Sequence, residues 1–97
     1  MNFAKKELSA GDHVVRNASC LSAEVGDETV LMSVESGCYG GLDDIGSDIW
    51  QRIEKPVSVA KLCDALASDY DAPRSAIEKN VLSFLGALQQ KQMIDIL

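Results

Sequence analysis

The sequence predicts an α+β domain of winged helix-turn-helix type, a three-stranded antiparallel sheet followed by three helices. Three observations predict it. Residues 20–34 alternate apolar and polar side chains around Gly26-Asp27-Glu28, a hairpin pattern. Three later stretches repeat apolar residues at three- and four-residue steps, as amphipathic helices do. The last two of these are separated only by a short polar turn ending in Ala72-Pro73.

In chain order, residues 1–12 are polar and aperiodic and read as a flexible tail ahead of a single domain over 13–97. His13 to Arg16 reads as a short extended piece. Leu21, Ala23 and Val25 alternate with Ser22 and Glu24, and Val30, Met32 and Val34 with Thr29, Leu31 and Ser33. Leu31 interrupts the polar face, so that face is expected to be partly covered. Glu35-Ser36-Gly37 makes a second turn, and Cys38 to Leu42 completes a meander. Asp43 is placed to cap the first helix, with Asp44 in its first turn. Ile45, Ile49, Trp50 and Ile53 follow helical spacing until Pro56 ends the segment. Ser58 caps the second helix, whose face carries Val59, Leu62, Cys63, Leu66 and Tyr70. The third starts near Pro73 or Ser75, with Ser75 and Glu78 at capping-box spacing. Its stripe is Ile77, Val81, Phe84, Leu85 and Leu88, and Met93 to Leu97 reads as an apolar tail.

The 97 residues suit one core, and 46% hydrophobic with 25% charged content is ordinary for a folded domain. A net charge of -6 argues against a nucleic-acid partner, since phosphate binding is built from Lys and Arg. No apolar run is long enough to span a membrane, and no apolar segment follows Lys5-Lys6 to make a signal peptide. Cys20, Cys38 and Cys63 are widely spaced and read as structural thiols in a reducing cytoplasm, and His13 has no sequence neighbour to share a metal. Neither a metal nor a cofactor is expected. No nucleophile-base set or phosphate loop is present, so catalysis is not expected.

Gly40 and Gly41 raise the functional question. A strand interior disfavours glycine, and an edge strand usually carries Lys, Pro or a bulge as protection. Residues 38–42 carry none of these. A bare edge with little side-chain bulk suits β-augmentation, in which an extended peptide adds as another strand. The competing reading is a tight loop whose glycines satisfy positive backbone angles, and pattern alone favours the loop. On the third helix, Leu82 lies on one flank of the stripe beside Glu78 and Gln89. It reads equally as a groove-lining residue or as one exposed leucine.

The ordered set Glu24 to Met32, Ser36-Gly37-x-Tyr39-x-x-Leu42-x-x-x-Gly46-x-x-Ile49-Trp50, Val59-x-x-Leu62 with Tyr70-Asp71, and Val81-x-x-Phe84-Leu85-x-x-Leu88 resembles the PqqD-like peptide chaperones. These are leader-recognition elements of ribosomally made, post-translationally modified peptides. The Ser-Gly-x-Tyr-x-x-Leu form is most similar to stand-alone members of lasso-peptide pathways. The resemblance spans about residues 20 to 95, and Asp43 stands where the family often has Asn. It implies that a precursor leader adds to the third strand and lies between that strand and the third helix. Carried onto this chain, it implies Cys38, Tyr39, Gly40, Gly41 and Leu42 on the strand side. On the helix side it implies Glu78, Leu82, Leu85 and Gln89. A lasso-type leader would bring a Tyr-x-x-Pro motif into apolar pockets, and Asp43, Asp44 and Glu78 would attract its basic residues. The implied partners are the leader and a modifying enzyme or leader peptidase. A self-pairing edge giving a homodimer is the alternative, with a winged-helix DNA reader behind it.

Overall fold

The computed structural model describes residues 8–97. Its elements, in order, are β1 (His13–Arg16), β2 (Cys20–Val25), β3 (Glu28–Ser33), β4 (Tyr39–Leu42), α1 (Asp44–Arg52), β5 (Val57–Ser58), α2 (Val59–Tyr70), α3 (Arg74–Gln90) and β6 (Ile94–Ile96). The expected meander is the antiparallel sheet β2-β3-β4, and the three expected helices follow it.

A second sheet, in the order β5-β1-β6, was not anticipated. The expected C-terminal tail is its edge strand: Val14 pairs with Ile96 and Arg16 with Ile94, and Leu97 N–H donates to the His13 carbonyl. β1 is the short extended piece expected at His13 to Arg16, whereas β5 and β6, two and three residues long, are too short to print a period and only the pairing reveals them. Of the expected N-terminal tail, residues 1–7 lie outside the described residues. Residues 9–12 form a turn, with Asp12 N–H on the Ser9 carbonyl. That turn is tied to α2, whose Val59 and Ala60 N–H groups donate to the carbonyls of Asp12 and Ala10.

The core gathers Val14, Leu31, Trp50, Ile53, Leu62, Leu66, Leu85 and Met93 between the sheets and the helices. Trp50 is 1% exposed. Arg16 closes over it, its guanidinium 4.8 Å from the ring centre and its Nε donating to the Trp50 carbonyl at 2.9 Å. Caps form where expected at two helices: Asp43 Oδ1 accepts from Gly46 N–H at 2.7 Å, and Ser58 Oγ from Lys61 N–H at 3.1 Å. The capping box at Ser75–Glu78 does not form. Pro73 occupies the cap position, and Glu78 bonds Arg74 instead. A backbone turn through left-handed Asp71 joins α2 to α3 (φ 48°), a conformation Asp tolerates better than most residues.

The hairpin has the opposite phase to the one its alternation suggests. Thr29, Leu31 and Ser33 are buried, whereas Leu21, Val25, Met32 and Val34 are exposed. Alternation fixes that two faces differ, not which one meets the core. Here the inner face meets the end of α3, where Ser33 Oγ lies 3.5 Å from the Gln92 carbonyl, and small side chains fit that approach.

Candidate functional site

Among the described residues β4 is hydrogen-bonded to β3 alone, so its other edge is unpaired there. The backbone turn before it is made by Gly37, at φ +72°. Neither Gly40 nor Gly41 has a positive φ, so the tight-loop reading of these glycines does not hold. Nor does crowding demand them. A Cβ at position 40 would meet nothing nearer than Lys91 Nζ at 3.9 Å, and at 41 nothing nearer than Glu28 Oε2 at 3.6 Å, both ordinary contacts.

Side chains alternate along the strand. Tyr39 and Gly41 share the outer face with Met32 and Val30, while Gly40 and Leu42 lie beside Leu31 and Thr29 on the inner one. Tyr39 is 74% exposed, and Cys38 and Leu42 pack partly against the core. The C-terminal turn of α3 passes here, with Ser36 Oγ donating to the Lys91 carbonyl at 2.8 Å and Lys91 Nζ near Gly40.

Beyond Leu42 opens a cavity of about 530 Å³. Ile45 and Ile49 of α1, Leu66 of α2 and Ile77, Val81 and Phe84 of α3 make it apolar, with Asp43, Tyr70 and Asn80 among its polar lining. Gly46 forms part of the wall against Phe84. A Cβ there would stand 3.2 Å from both Phe84 Cε1 and Asp43 Oδ1.

The expected strand residues 38–42 therefore sit together at an open edge. Of the expected helix residues, Glu78 is turned toward α2 and Leu85 lies in the core. Glu78 is bonded to Arg74, which also binds Asp64 Oδ1 and the Ala60 carbonyl, so this flank of α3 faces α2. Leu82 and Gln89 follow Glu78 on the same flank by helical spacing. Leu85 is fully buried in the core. The flank toward β4 and α1 carries Ile77, Asn80, Phe84 and Lys91. The sequence signal for it was present, since Ile77, Phe84 and Lys91 recur at helical steps, but a stripe that wide does not say which border meets the sheet.

Of the three expected acidic groups, Asp43 is occupied as a cap and Glu78 is paired with Arg74, leaving Asp44 exposed in the first turn of α1. A shallower hollow of about 270 Å³ between the hairpin tip and α1 is lined by Glu24, Asp27, Glu28 and Asp48. Among the described residues no grouping of His, Cys, Asp and Glu is suited to hold a metal ion. The Cys63 thiol is buried, and burial pushes both it and the Cys20 thiol up. No helix among the described residues is long and apolar enough to cross a membrane.

Residues 28–94 match the family described as Coenzyme PQQ synthesis protein D (PqqD). The chain is similar to the PqqA binding protein of Xanthomonas campestris pv. campestris (strain B100), 36% identical over 68 residues that cover 70% of this chain and 72% of the relative. It is similar in structure to TbiB1 in complex with the TbiA(beta) leader peptide, with TM-score 0.75 and 32% identity over 84% of this chain and 94% of that one. It also shares the fold of lasso peptide synthetase B1 complexed with the leader peptide, with TM-score 0.74 and 24% identity over 84% of this chain and 96% of that one.

Proposed function

The chain belongs to the PqqD family, and from that premise we propose that it is a non-catalytic recognition element that binds the leader of a ribosomally made precursor peptide by strand addition to β4. It then presents that peptide to a processing enzyme such as a leader peptidase. One observation carries the strand assignment. Gly40 and Gly41 lie on an edge unpaired among the described residues, and neither backbone angle nor the contacts of an added Cβ require them to be glycine. Their missing side chains leave room for an incoming backbone.

An added strand would alternate its side chains as β4 does. Those on the inner face would lie beside Gly40 and Leu42 toward Lys91. The apolar cavity beyond Leu42 is suited to an aromatic or proline side chain of the leader, in keeping with a Tyr-x-x-Pro motif. Backbone hydrogen bonds would supply part of the affinity and the cavity the selectivity. Docking the leader raises the effective concentration of the attached core at the enzyme, so the adaptor needs no catalytic group of its own.

The test is fluorescence-anisotropy titration of leader peptides taken from precursor genes beside this one. Wild type should bind one of them, and Gly40→Val should weaken it tenfold or more while remaining folded by circular dichroism. Unchanged binding by a folded Gly40→Val protein would remove β4 as the docking strand. A wild-type dimer that binds no leader would favour the self-pairing edge instead.

A further inference from the structure

The outer face of the β2-β3-β4 sheet is largely apolar and uncovered among the described residues. Leu21 pairs with Met32 and Met32 with Tyr39, forming one cross-strand row. Ala23, Val30 and Gly41 form the next. Leu21 is 55%, Met32 46% and Val25 63% exposed. Leu21, Met32, Tyr39 and Val25 on one face, with Glu28 opposite Val25 as its charged border, are a patch, not scattered exposure, and such patches mark interaction sites.

The charge around this face has one sign. Glu28 lies on this face opposite Val25, Asp27 and Glu35 stand in the turns at its two ends, and residues 17–51 as a whole contain seven acidic residues but no Lys or Arg. The chain's net charge of -6 is therefore concentrated in the sheet and α1, and the remainder is close to neutral. Stacking this face on a second copy would set acid against acid. A partner with an apolar centre and a Lys/Arg rim is complementary to it.

We propose that this outer face is the docking surface for the processing enzyme, which meets it with an apolar patch rimmed by Lys and Arg. This rests on the leader-binding reading above. The face is continuous with the leader's edge, because Tyr39 belongs to both. Three strands at about 4.8 Å spacing and some six residues long present roughly 300 Å² in projection, well below the about 800 Å² per partner of a standard interface. A leader added to β4 widens the same face by a strand and contributes its own outward side chains. The enzyme then reads sheet and leader together and favours the loaded adaptor. By reciprocity, the enzyme tightens the leader to the same degree.

The experiment measures binding of the purified processing enzyme encoded beside this chain to immobilised adaptor, with and without saturating leader. The wild type should bind, and leader should tighten the complex about fivefold or more. The double variant Leu21→Lys/Met32→Lys replaces exposed side chains remote from the inner face. It should keep its leader affinity and lose at least tenfold in enzyme affinity. A rim variant, Asp27→Lys/Glu35→Lys, should slow association and flatten its salt dependence. Enzyme affinity unchanged in a folded, leader-binding Leu21→Lys/Met32→Lys protein overturns the proposal, as does a wild type that binds leader but not enzyme. A wild-type dimer made monomeric by the same variant overturns it in favour of self-contact. Loss of leader binding by the wild type, with enzyme binding intact and sensitive to Leu21→Lys/Met32→Lys, removes the leader reading while leaving the outer-face contact standing.

Discussion

A valine at position 40 would gain strand propensity, and its Cβ would meet only the end of a flexible lysine at 3.9 Å. It should therefore leave stability unchanged or raise it by up to about 1 kcal/mol, since glycine in a strand costs conformational entropy. A urea titration of Gly40→Val checks this. A large loss of stability would show that the glycine serves the fold rather than a ligand. Gly46 is the opposite case. Its Cβ would press on Phe84 and on the Asp43 cap, both at 3.2 Å. Gly46→Ala should cost about 1 kcal/mol and shift Phe84 into the cavity, weakening a leader anchored there more than a truncated leader lacking its Tyr and Pro. Two anisotropy titrations make that comparison. The sequence showed 40–41 as anomalous but could not say why, because a loop and a docking strand place the same residues in the same order. The backbone angles and the contact distances decide between them.

Among the elements, helices were legible because their caps and stripes are local. Asp43 and Ser58 cap as their positions suggest. The phase of the hairpin and the working flank of α3 were not legible, because each depends on what packs against the element. At the C-terminus of α2 a polar clamp joins that helix to α1. Arg52 bonds both Asp48 and Asp69, and the Tyr70 hydroxyl donates to Asp48. The Arg52 guanidinium holds the Asp48 carboxyl below its ordinary value, and the Asp48 carboxylate holds the Tyr70 phenol above its own. A carboxylate depressed in the folded state stabilises above its unfolded value of about 3.9 and loses that contribution as pH falls through the lower folded value. Asp48→Asn should thus be less stable than wild type at pH 6, and the gap should narrow on acidification toward pH 2. Thermal unfolding at both pH values measures it. A gap that widens in acid would assign the clamp no electrostatic role.

On the scale of the whole molecule, the β5-β1-β6 sheet fastens three distant parts of the chain together. β1 receives the segment before α2 on one side and the C-terminal strand on the other, and Asn17 N–H donates to the Met93 carbonyl just ahead of β6. Ile94 is 4% exposed at that junction. Ile94→Ala should cost about 2–4 kcal/mol in a single cooperative transition, read by urea unfolding, because the cavity would open where the two ends meet. Two transitions would show instead that the wing and this sheet unfold separately. The arrangement also has a colloidal consequence. Among the described residues the wing sheet has two unpaired edges, β2 and β4, and a largely apolar outer face, so short-range forces between copies are attractive. What opposes them is monopole repulsion from a net charge of -6. As the pH approaches the sequence pI of about 4.5, that repulsion vanishes while the attraction stays. The second virial coefficient from light scattering should then turn from positive at pH 7 to negative near the pI, and bound leader, by covering β4, should move the turning point closer to it.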